Sequence, residues 1–118
     1  MKHQIGKRKL SKRSPHRKAL LRNQAIHFIK NGALQTTKIR VKEVQKLIEK
    51  TVTIARNGYD FNTIRRVKKI LPYDFKMVEK LIKEIAPKYV DRPGGYTRVI
   101  PMGKRPSDTA TIARLEWV

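Results

Sequence analysis

The stretch SPHRKALLRNQAIHFIKNG, residues 14–32, decides how the chain begins its fold. Ser14 and Pro15 are typical of a helix start, because a hydroxyl at the N-cap accepts from an early backbone N–H and proline already has a helical φ angle. Asn31-Gly32 is the matching stop. Apolar residues recur between these signals at helical spacing: Leu21, Ala25, Phe28 and Ile29. The spacing predicts an amphipathic helix with this face toward a core.

The opposite face of the helix is polar and continues a basic segment that precedes it. It carries His16, Asn23, His27 and Lys30. Residues 1–13 contain six Lys and Arg, with only two apolar anchors, too few to offset the entropy of ordering a backbone. A chain of 118 residues is long enough for one domain. We therefore expect an extended basic arm over residues 1–13 and a single domain over residues 14–118.

Three further helices and three strands are expected after the first helix. Residues 33–36 predict a short edge strand, and residues 38–56, 60–71 and 74–86 predict helices. Asp60 and Asp74 are expected N-caps, and Pro87 is the expected end of the last helix. Arg65, Lys68 and Lys69 share an outer face of the helix over residues 60–71.

The last quarter of the chain predicts a β-hairpin. Residues 96–100 read as a strand, and residues 110–118 alternate cleanly between two faces. The connecting loop PMGKRPSD, residues 101–108, is long for a hairpin and is expected to present Lys104 and Arg105 outward.

The charge balance points to a polyanionic partner. The chain has 29 Lys and Arg against nine Asp and Glu, a net charge of +20, and its first acidic residue is Glu43. Solubility needs a net charge of only about 2 to 8 in a small domain, so a solvated surface does not explain this excess. Such a density opposes compaction unless a polyanion neutralises it.

Enzyme and metal signatures are absent from the sequence. There is no cysteine and no GxxxxGK[ST] phosphate loop. The histidines lack HxxxH spacing, and the aspartates fall at predicted caps or in a loop: His3, His16, His27, Asp60, Asp74 and Asp108. We expect no catalytic residue, metal, cofactor or small-molecule substrate.

Among polyanions, folded RNA suits the pattern best. Dense Lys and Arg on flexible backbone gain counterion-release free energy at each phosphate, and arginine also stacks on unpaired bases. No zinc finger, bZIP heptad or convincing helix-turn-helix supports sequence-specific DNA binding, and no RNP motif is present. A membrane role is not expected, because the first helix lacks a broad apolar stripe and the chain lacks a long apolar run.

Four blocks of sequence resemble the family of bacterial ribosomal protein seventeen of the large subunit. The opening block is met by Met1, Lys2, His3, Arg8, Leu10, Lys12, His16, Arg17, Ala19, Arg22 and Asn23. Thr36-Thr37 and Lys42-Glu43 match the second block. The third is met by Pro87, Lys88, Tyr89, Arg92, Gly94, Gly95, Tyr96, Thr97 and Arg98, and the fourth by Gly103, Arg105 and Asp108.

The chain departs from the family pattern at three places. Pro15 replaces a more usual serine, Gly6 stands one place early, and Pro106-Ser107 stands where Ala-Gly is common. Pro15 agrees with a helix start, whereas the changed loop leaves the role of Lys104 and Arg105 open.

The resemblance implies an α+β fold in which a small mixed sheet packs on the helices. It also implies a structural constituent of the large subunit in the cytoplasm, bound to large-subunit rRNA and to neighbouring ribosomal proteins, supporting assembly and translation. It implies no catalysis.

The expected RNA contacts fall into four groups. The arm supplies Lys2, His3, Lys7, Arg8, Lys9, Lys12 and Arg13, threading among rRNA helices and ordering on binding. The first helix supplies His16, Arg17, Lys18, Arg22 and Asn23. The start of the second helix supplies Thr36, Lys38 and Lys42. The last part of the chain supplies Arg92, Tyr96, Arg98, Lys104 and Arg105. For Tyr96, a half-buried strand aromatic is as good a reading as base stacking.

Two other classes of function stay open on the residues alone. A nucleoid-type protein would bind duplex DNA of any sequence with comparable affinity. A small ribonuclease would cleave RNA in a way abolished by changing His16 or His27.

Overall fold

The computed structural model describes residues 13–72 and 74–118. The helices are α1 (Ser14–Asn31), α2 (Lys38–Ala55), α3 (Phe61–Ile70) and α4 (Phe75–Lys80), and the strands are β1 (Ala33–Thr37), β2 (Thr97–Lys104) and β3 (Thr111–Trp117). A π-helical segment (Leu81–Ile85) and a 3₁₀ turn (Ala86–Tyr89) prolong α4. The order confirms the predicted α+β class with its C-terminal hairpin. The arm, apart from Arg13, lies outside the described residues, and the division into arm and domain stays a prediction.

Helix α1 begins and ends close to the predicted residues. Ser14 is its first residue, so the N-cap position falls to Arg13, and no side chain there caps the helix. The expected Ser14 cap is therefore wrong by one residue, because Pro15 and Ser14 both already lie in the first turn. At the other end Gly32 takes a φ of 81°, and its N–H donates to the Phe28 carbonyl at 2.8 Å. Glycine suits this left-handed conformation because it has no Cβ.

The sheet is antiparallel throughout, in the order β1-β3-β2. Ala33 lies opposite Glu116 in one pairing, and Thr97 lies opposite Trp117 in the other. The expectation of a mixed sheet is wrong, because β3 turns back between two strands that both run against it. The central position of β3 explains its clean alternation, with Ala113 and Leu115 fully buried.

Strand β2 is longer than predicted because a bulge carries it through a proline. Pro101 lies opposite Ala113 and Gly103 opposite Ile112, which leaves Met102 as the extra residue. The missing N–H of Pro101 is tolerated because β2 is an edge strand. Gly103 takes a φ of 88°, which the bulge requires.

Pro87 does not end the last helical segment. The Ala86 N–H donates to the Leu81 carbonyl across a wide π-type turn, and the chain continues as a 3₁₀ turn to Tyr89. Proline fits the first positions of this new turn, where its missing N–H leaves no partner unsatisfied. The prediction that the helix ends at this proline is therefore wrong by one short turn.

One contiguous core joins the helices to the sheet. Phe28 of α1, Val44 and Ile48 of α2, and Leu115 of β3 are fully buried in it. The predicted inward face of α1 is confirmed by the burial of Ala25 and Ile29. The later helical segments bury Thr51, Ala55, Val67, Leu71, Val78, Leu81 and Ile82. Within the described residues, no helix is both long and apolar enough to cross a lipid bilayer.

An aromatic cluster fastens α1 and the 3₁₀ turn to the C-terminal strand. The Trp117 ring lies 4.6 Å from that of Phe28 and 5.9 Å from that of Tyr89, centroid to centroid. The Tyr89 hydroxyl donates to the Val118 carbonyl at 3.0 Å, and burial raises the pKa of Tyr89. Together with Ala25 and Ile29 in the core, this cluster fixes the orientation of α1 and hence of its polar face.

Candidate nucleic-acid interface

The outer face of α1 is a cationic and polar surface with no acidic residue on the whole helix. Its buried face holds Ala25, Phe28 and Ile29 in the core, which leaves the opposite face in solvent. Exposed side chains on this face and at its start are Arg13, His16, Lys18, Asn23, His27 and Lys30. Arg17 and Arg22 lie half-buried beside them. The structure places His16, Asn23, His27 and Lys30 along this outer face, whereas Arg17, Lys18 and Arg22 lie around the N-terminal half of the helix. We name these residues together the α1 face.

The end of β1, just before α2, lies next to the hairpin loop. Thr36 shares an open pocket of about 400 Å³ with Lys104 and Arg105. The rest of the lining is Gln35, Met102, Pro106 and Ile112. Thr36 and Lys104 are about 70 residues apart in sequence, and they come together because β3 pairs with both β1 and β2. Lys38 and Lys42 follow on α2, both half-buried.

Arg105 is held by an acidic neighbour inside the hairpin loop. Its Nη2 lies 2.6 Å from Asp108 Oδ2 and its Nε lies 2.9 Å from Oδ1, a two-pronged ion pair. This hydrogen bonding, assisted by the Ala110 N–H, lowers the pKa of Asp108 to about 2, and the same pair raises the pKa of Arg105. Part of the Arg105 charge is thus compensated locally, whereas Lys104 is exposed beside it.

The predicted patch of Arg92, Tyr96 and Arg98 does not present an aromatic surface. Tyr96 is only 1% exposed, its ring packs edge-on against Tyr89, and its hydroxyl lies 3.1 Å from that of Thr53. The hypothesis that bases stack on Tyr96 is therefore wrong, because its ring is buried in the core. Arg98 is exposed on the outer face of the sheet and lies 3.3 Å from Glu116. Arg92 is exposed in the preceding loop and donates weakly to the Gly95 carbonyl at 3.4 Å.

A polar row on α2 explains why the segment around Tyr96 is fixed. The Glu49 carboxylate accepts from the N–H groups of Tyr96 and Thr97, both at 3.1 Å, and from the Thr97 hydroxyl at 2.7 Å. Gln45 donates to the Thr97 hydroxyl at 3.2 Å. We name Gln45, Glu49 and Thr53 the α2 polar row. The sequence analysis missed this row. The spacing of four residues between Gln45, Glu49 and Thr53 places them on one side of a helix, and this spacing could have identified them.

The RNA contacts expected from the sequence do not include a set of cations on α3. Arg65, Arg66, Lys68 and Lys69 are all exposed, and residues 61–70 contain no Asp or Glu. Asp60 fixes the start of α3 by accepting from the Thr63 N–H at 2.8 Å. The helical spacing of Arg65, Lys68 and Lys69 was visible in sequence, but nothing there distinguished it from an ordinary wet helix face.

The histidines among the described residues lie apart from one another. His16 and His27 lie three helical turns apart on α1, and His27 bonds Asn31 at 3.1 Å. Across residues 13–72 and 74–118, no group of three or more His, Asp or Glu side chains is placed to hold a metal ion. What the surface offers instead is a set of exposed cations on rigid helices.

Comparison with known proteins decides the family. A family model described as ribosomal protein L17 matches residues 20–118. The chain belongs to the ribosomal protein L17 family. Members of this family are structural constituents of the large ribosomal subunit and not enzymes. The family membership suggested by the four sequence blocks is thus confirmed.

Individual L17 relatives match along the whole chain. A large ribosomal subunit protein bL17 of Wolinella succinogenes is 47% identical over all 118 residues, and covers the full length of both chains. A bL17 protein of Helicobacter pylori is 45% identical over the same length, again covering both chains fully. A third, of Desulforudis audaxviator, is 43% identical over 97% of this chain and all of its own. The similarity therefore extends through the basic arm as well as the folded body.

Proposed function

We propose that this chain is a structural constituent of the large ribosomal subunit in the bacterial cytoplasm, where it binds and stabilises large-subunit rRNA and lies beside other ribosomal proteins. The observation that carries the proposal is the α1 face, which continues the basic arm. From residue 1 to residue 42 the chain holds thirteen Lys and Arg and no acid. Such a surface gains free energy by releasing the counterions of RNA phosphates.

The proposed contacts hold the protein in place on the RNA and catalyse no reaction. The arm would thread among rRNA helices, and the α1 face would dock the body against the RNA backbone. Thr36, Lys38 and Lys42 would add phosphate contacts beside Lys104 and Arg105, because the sheet brings those two segments together. Arg92 and Arg98 would contribute charge alone. Contacts to phosphates fix register and orientation, which is what a structural constituent supplies.

A matched pair of double variants tests the α1 face. Lys18→Gln with Arg22→Gln removes two charges from it, and Lys50→Gln with Lys88→Gln removes two exposed charges elsewhere. Each phosphate contact contributes about 0.7 to 0.9 to the slope of log K against log salt. We expect the first pair to reduce that slope by about 1.4 to 1.8 on large-subunit rRNA fragments and the second to leave it unchanged.

Two controls guard the assignment. The wild-type protein is expected to bind rRNA fragments more tightly than duplex DNA of equal length, and to co-sediment with large subunits at high salt. Equal affinity for duplex DNA would favour a nucleoid-type protein. Cleavage of the RNA during incubation, lost in His16→Ala or His27→Ala, would favour a ribonuclease.

A further inference from the structure

Two exposed aromatic rings lie in line with the cations of α3. Phe61 is 76% exposed and Phe75, at the start of α4, is 45% exposed. The guanidinium carbon of Arg65 lies 5.8 Å from the Phe61 ring centroid, and the Lys68 Nζ lies 5.5 Å from the Phe75 ring centroid. Both distances are within the range of a cation–π contact.

These four side chains form one continuous row. Phe61, Arg65 and Lys68 are spaced by four and three residues, so they lie on the same face of α3. Lys68 then reaches across to Phe75 on α4. We name Phe61, Arg65, Lys68 and Phe75 the α3 row.

The folded body alone does not account for these exposed rings. Val67 carries the buried face of α3, and Asp60 already caps its start. A phenylalanine that is three-quarters exposed contributes little to core burial, and exposed rings favour association with a partner. Single exposed aromatics are ordinary, but here the cations of α3, a helix that has no acid, lie between its own Phe61 and Phe75 at the start of α4, which makes a defined surface.

The chemistry of the row selects its partner. Interfaces between proteins are depleted in lysine, whereas α3 presents Lys68 and Lys69 together with Arg65 and Arg66. Paired RNA hides the faces of its bases, so it would use only the cations. Unpaired bases expose those faces, and they stack on aromatic side chains while nearby cations neutralise the adjoining phosphates.

We propose that the α3 row is a second RNA-binding site, and that it takes unpaired nucleotides of a loop or bulge on the rings of Phe61 and Phe75. The proposal rests on the proposed function and adds to it a site separate from the α1 face. The α1 face would hold the RNA backbone, and the α3 row would hold splayed bases.

A pair of RNA hairpins tests the proposal with the full chain. The probe is a hairpin with a ten-nucleotide uridine-rich loop, and the reference is the same stem closed by four nucleotides. Phe61→Leu and Phe75→Leu keep apolar bulk but remove the flat ring. Stacking on one aromatic ring contributes a factor of roughly five to one hundred in affinity. Each variant is expected to weaken binding of the large-loop probe by such a factor and leave the reference unchanged.

Two control variants separate stacking from general surface effects. Phe61→Tyr keeps a ring and is expected to retain wild-type affinity for the large loop. Ile39→Ala removes an apolar side chain of comparable exposure, 53%, on α2 and is expected to change neither probe. Thermal melting of each variant is expected to stay close to wild type, because Phe61 and Ile39 are mostly in solvent and leucine keeps apolar bulk at the half-buried Phe75.

The failures of the two proposals are distinguishable. Equal loss of affinity for both hairpins in Phe61→Leu, or no loss for either, would overturn the α3 row as a base-stacking site. The proposed function would still stand in that case if the α1-face variants lowered the salt slope on rRNA fragments. It would fail if the α1-face pair and its control behaved alike.

Discussion

The carboxylate of Glu49 accepts three hydrogen bonds from two successive residues that lie almost fifty positions further along the chain. Two of the donors are backbone N–H groups at the edge where β2 begins. A buried or half-buried N–H that loses its acceptor leaves a polar group unsatisfied, and hydrogen bonds to charged groups are the stronger kind. The side chain thus holds α2 against the sheet by polar contacts, beside the apolar core.

We predict that Glu49→Gln lowers the free energy of unfolding by about 1 to 3 kcal/mol, since the amide retains a single acceptor oxygen for two N–H groups and a hydroxyl. Urea unfolding followed by far-UV circular dichroism measures the change. Glu84→Gln, at an exposed acid on the π-helical segment, is the matched control and is expected to stay within about 0.5 kcal/mol of wild type. An equal effect of the two substitutions would contradict a holding role for Glu49.

Asp108 gives a second prediction at the scale of one residue. Its pKa is about 2 in the folded chain, below the ordinary 3.8, because Arg105 and the Ala110 N–H bond its charged form. A carboxylate with a lowered pKa stabilises the fold above its ordinary pKa, and that contribution is lost as pH falls from about 4 through about 2. In Arg105→Gln the pKa is expected to move up toward 3.8, which a carbon-detected NMR titration of the carboxyl group measures. A pKa that stays near 2 without Arg105 would contradict the ion pair.

At the scale of elements, α1 matters most because it carries the proposed docking surface, and its end is fixed by one backbone conformation. Gly32 has a φ of 81°, and no heavy atom beyond its chain neighbours lies within 4 Å of where a Cβ would be placed. A substitution there therefore tests backbone strain with no steric contribution from packing. The Gly32 N–H still closes the last turn on Phe28, whose ring packs on Trp117.

We predict that Gly32→Ala lowers the free energy of unfolding by about 1 to 2 kcal/mol, because an L-residue with a side chain disfavours the left-handed region. Gly32→Asn is expected to cost less, since asparagine tolerates that conformation. Thermal or urea unfolding of the two variants gives the comparison. If Asn and Ala were equally costly, the strain would not come from the left-handed backbone.

Local signals in the sequence identify these elements well. The apolar spacing in α1, the Asp60 cap and the alternation in β3 each depend on neighbours within a few residues, so they can be read from the chain alone. The exposure of His16 and Asn23 follows from the same helical spacing. Contacts between distant segments cannot be read this way.

The burial of Tyr96 shows where sequence reasoning stops. It depends on the α2 polar row and on Tyr89, which reach it only once the sheet has packed on the helices. The pocket shared by Thr36 and Lys104 likewise requires the register of β3 against two strands. The π-type turn before Pro87 has no recognisable sequence signature. The proline alone therefore could not show that the helical segment continues past it.

At the scale of the whole molecule, the net positive charge is concentrated in the first third of the chain. Residues 1–42 hold thirteen of the twenty net positive charges, and residues 43–118 carry the remaining seven. Repulsion among these charges opposes the compact state until an anion neutralises them. We propose that large-subunit rRNA is this anion, and that it binds through the arm and the α1 face.

The salt dependence of rRNA binding, with and without residues 1–13, tests the central claim most directly. The deletion removes six Lys and Arg. Binding to a large-subunit rRNA fragment is measured by titration at several salt concentrations for both chains. We predict that the slope of log K against log salt falls by about 4 to 5 in the shortened chain, as expected if each of the six cations neutralises one phosphate. An unchanged slope and an unchanged affinity would contradict the account.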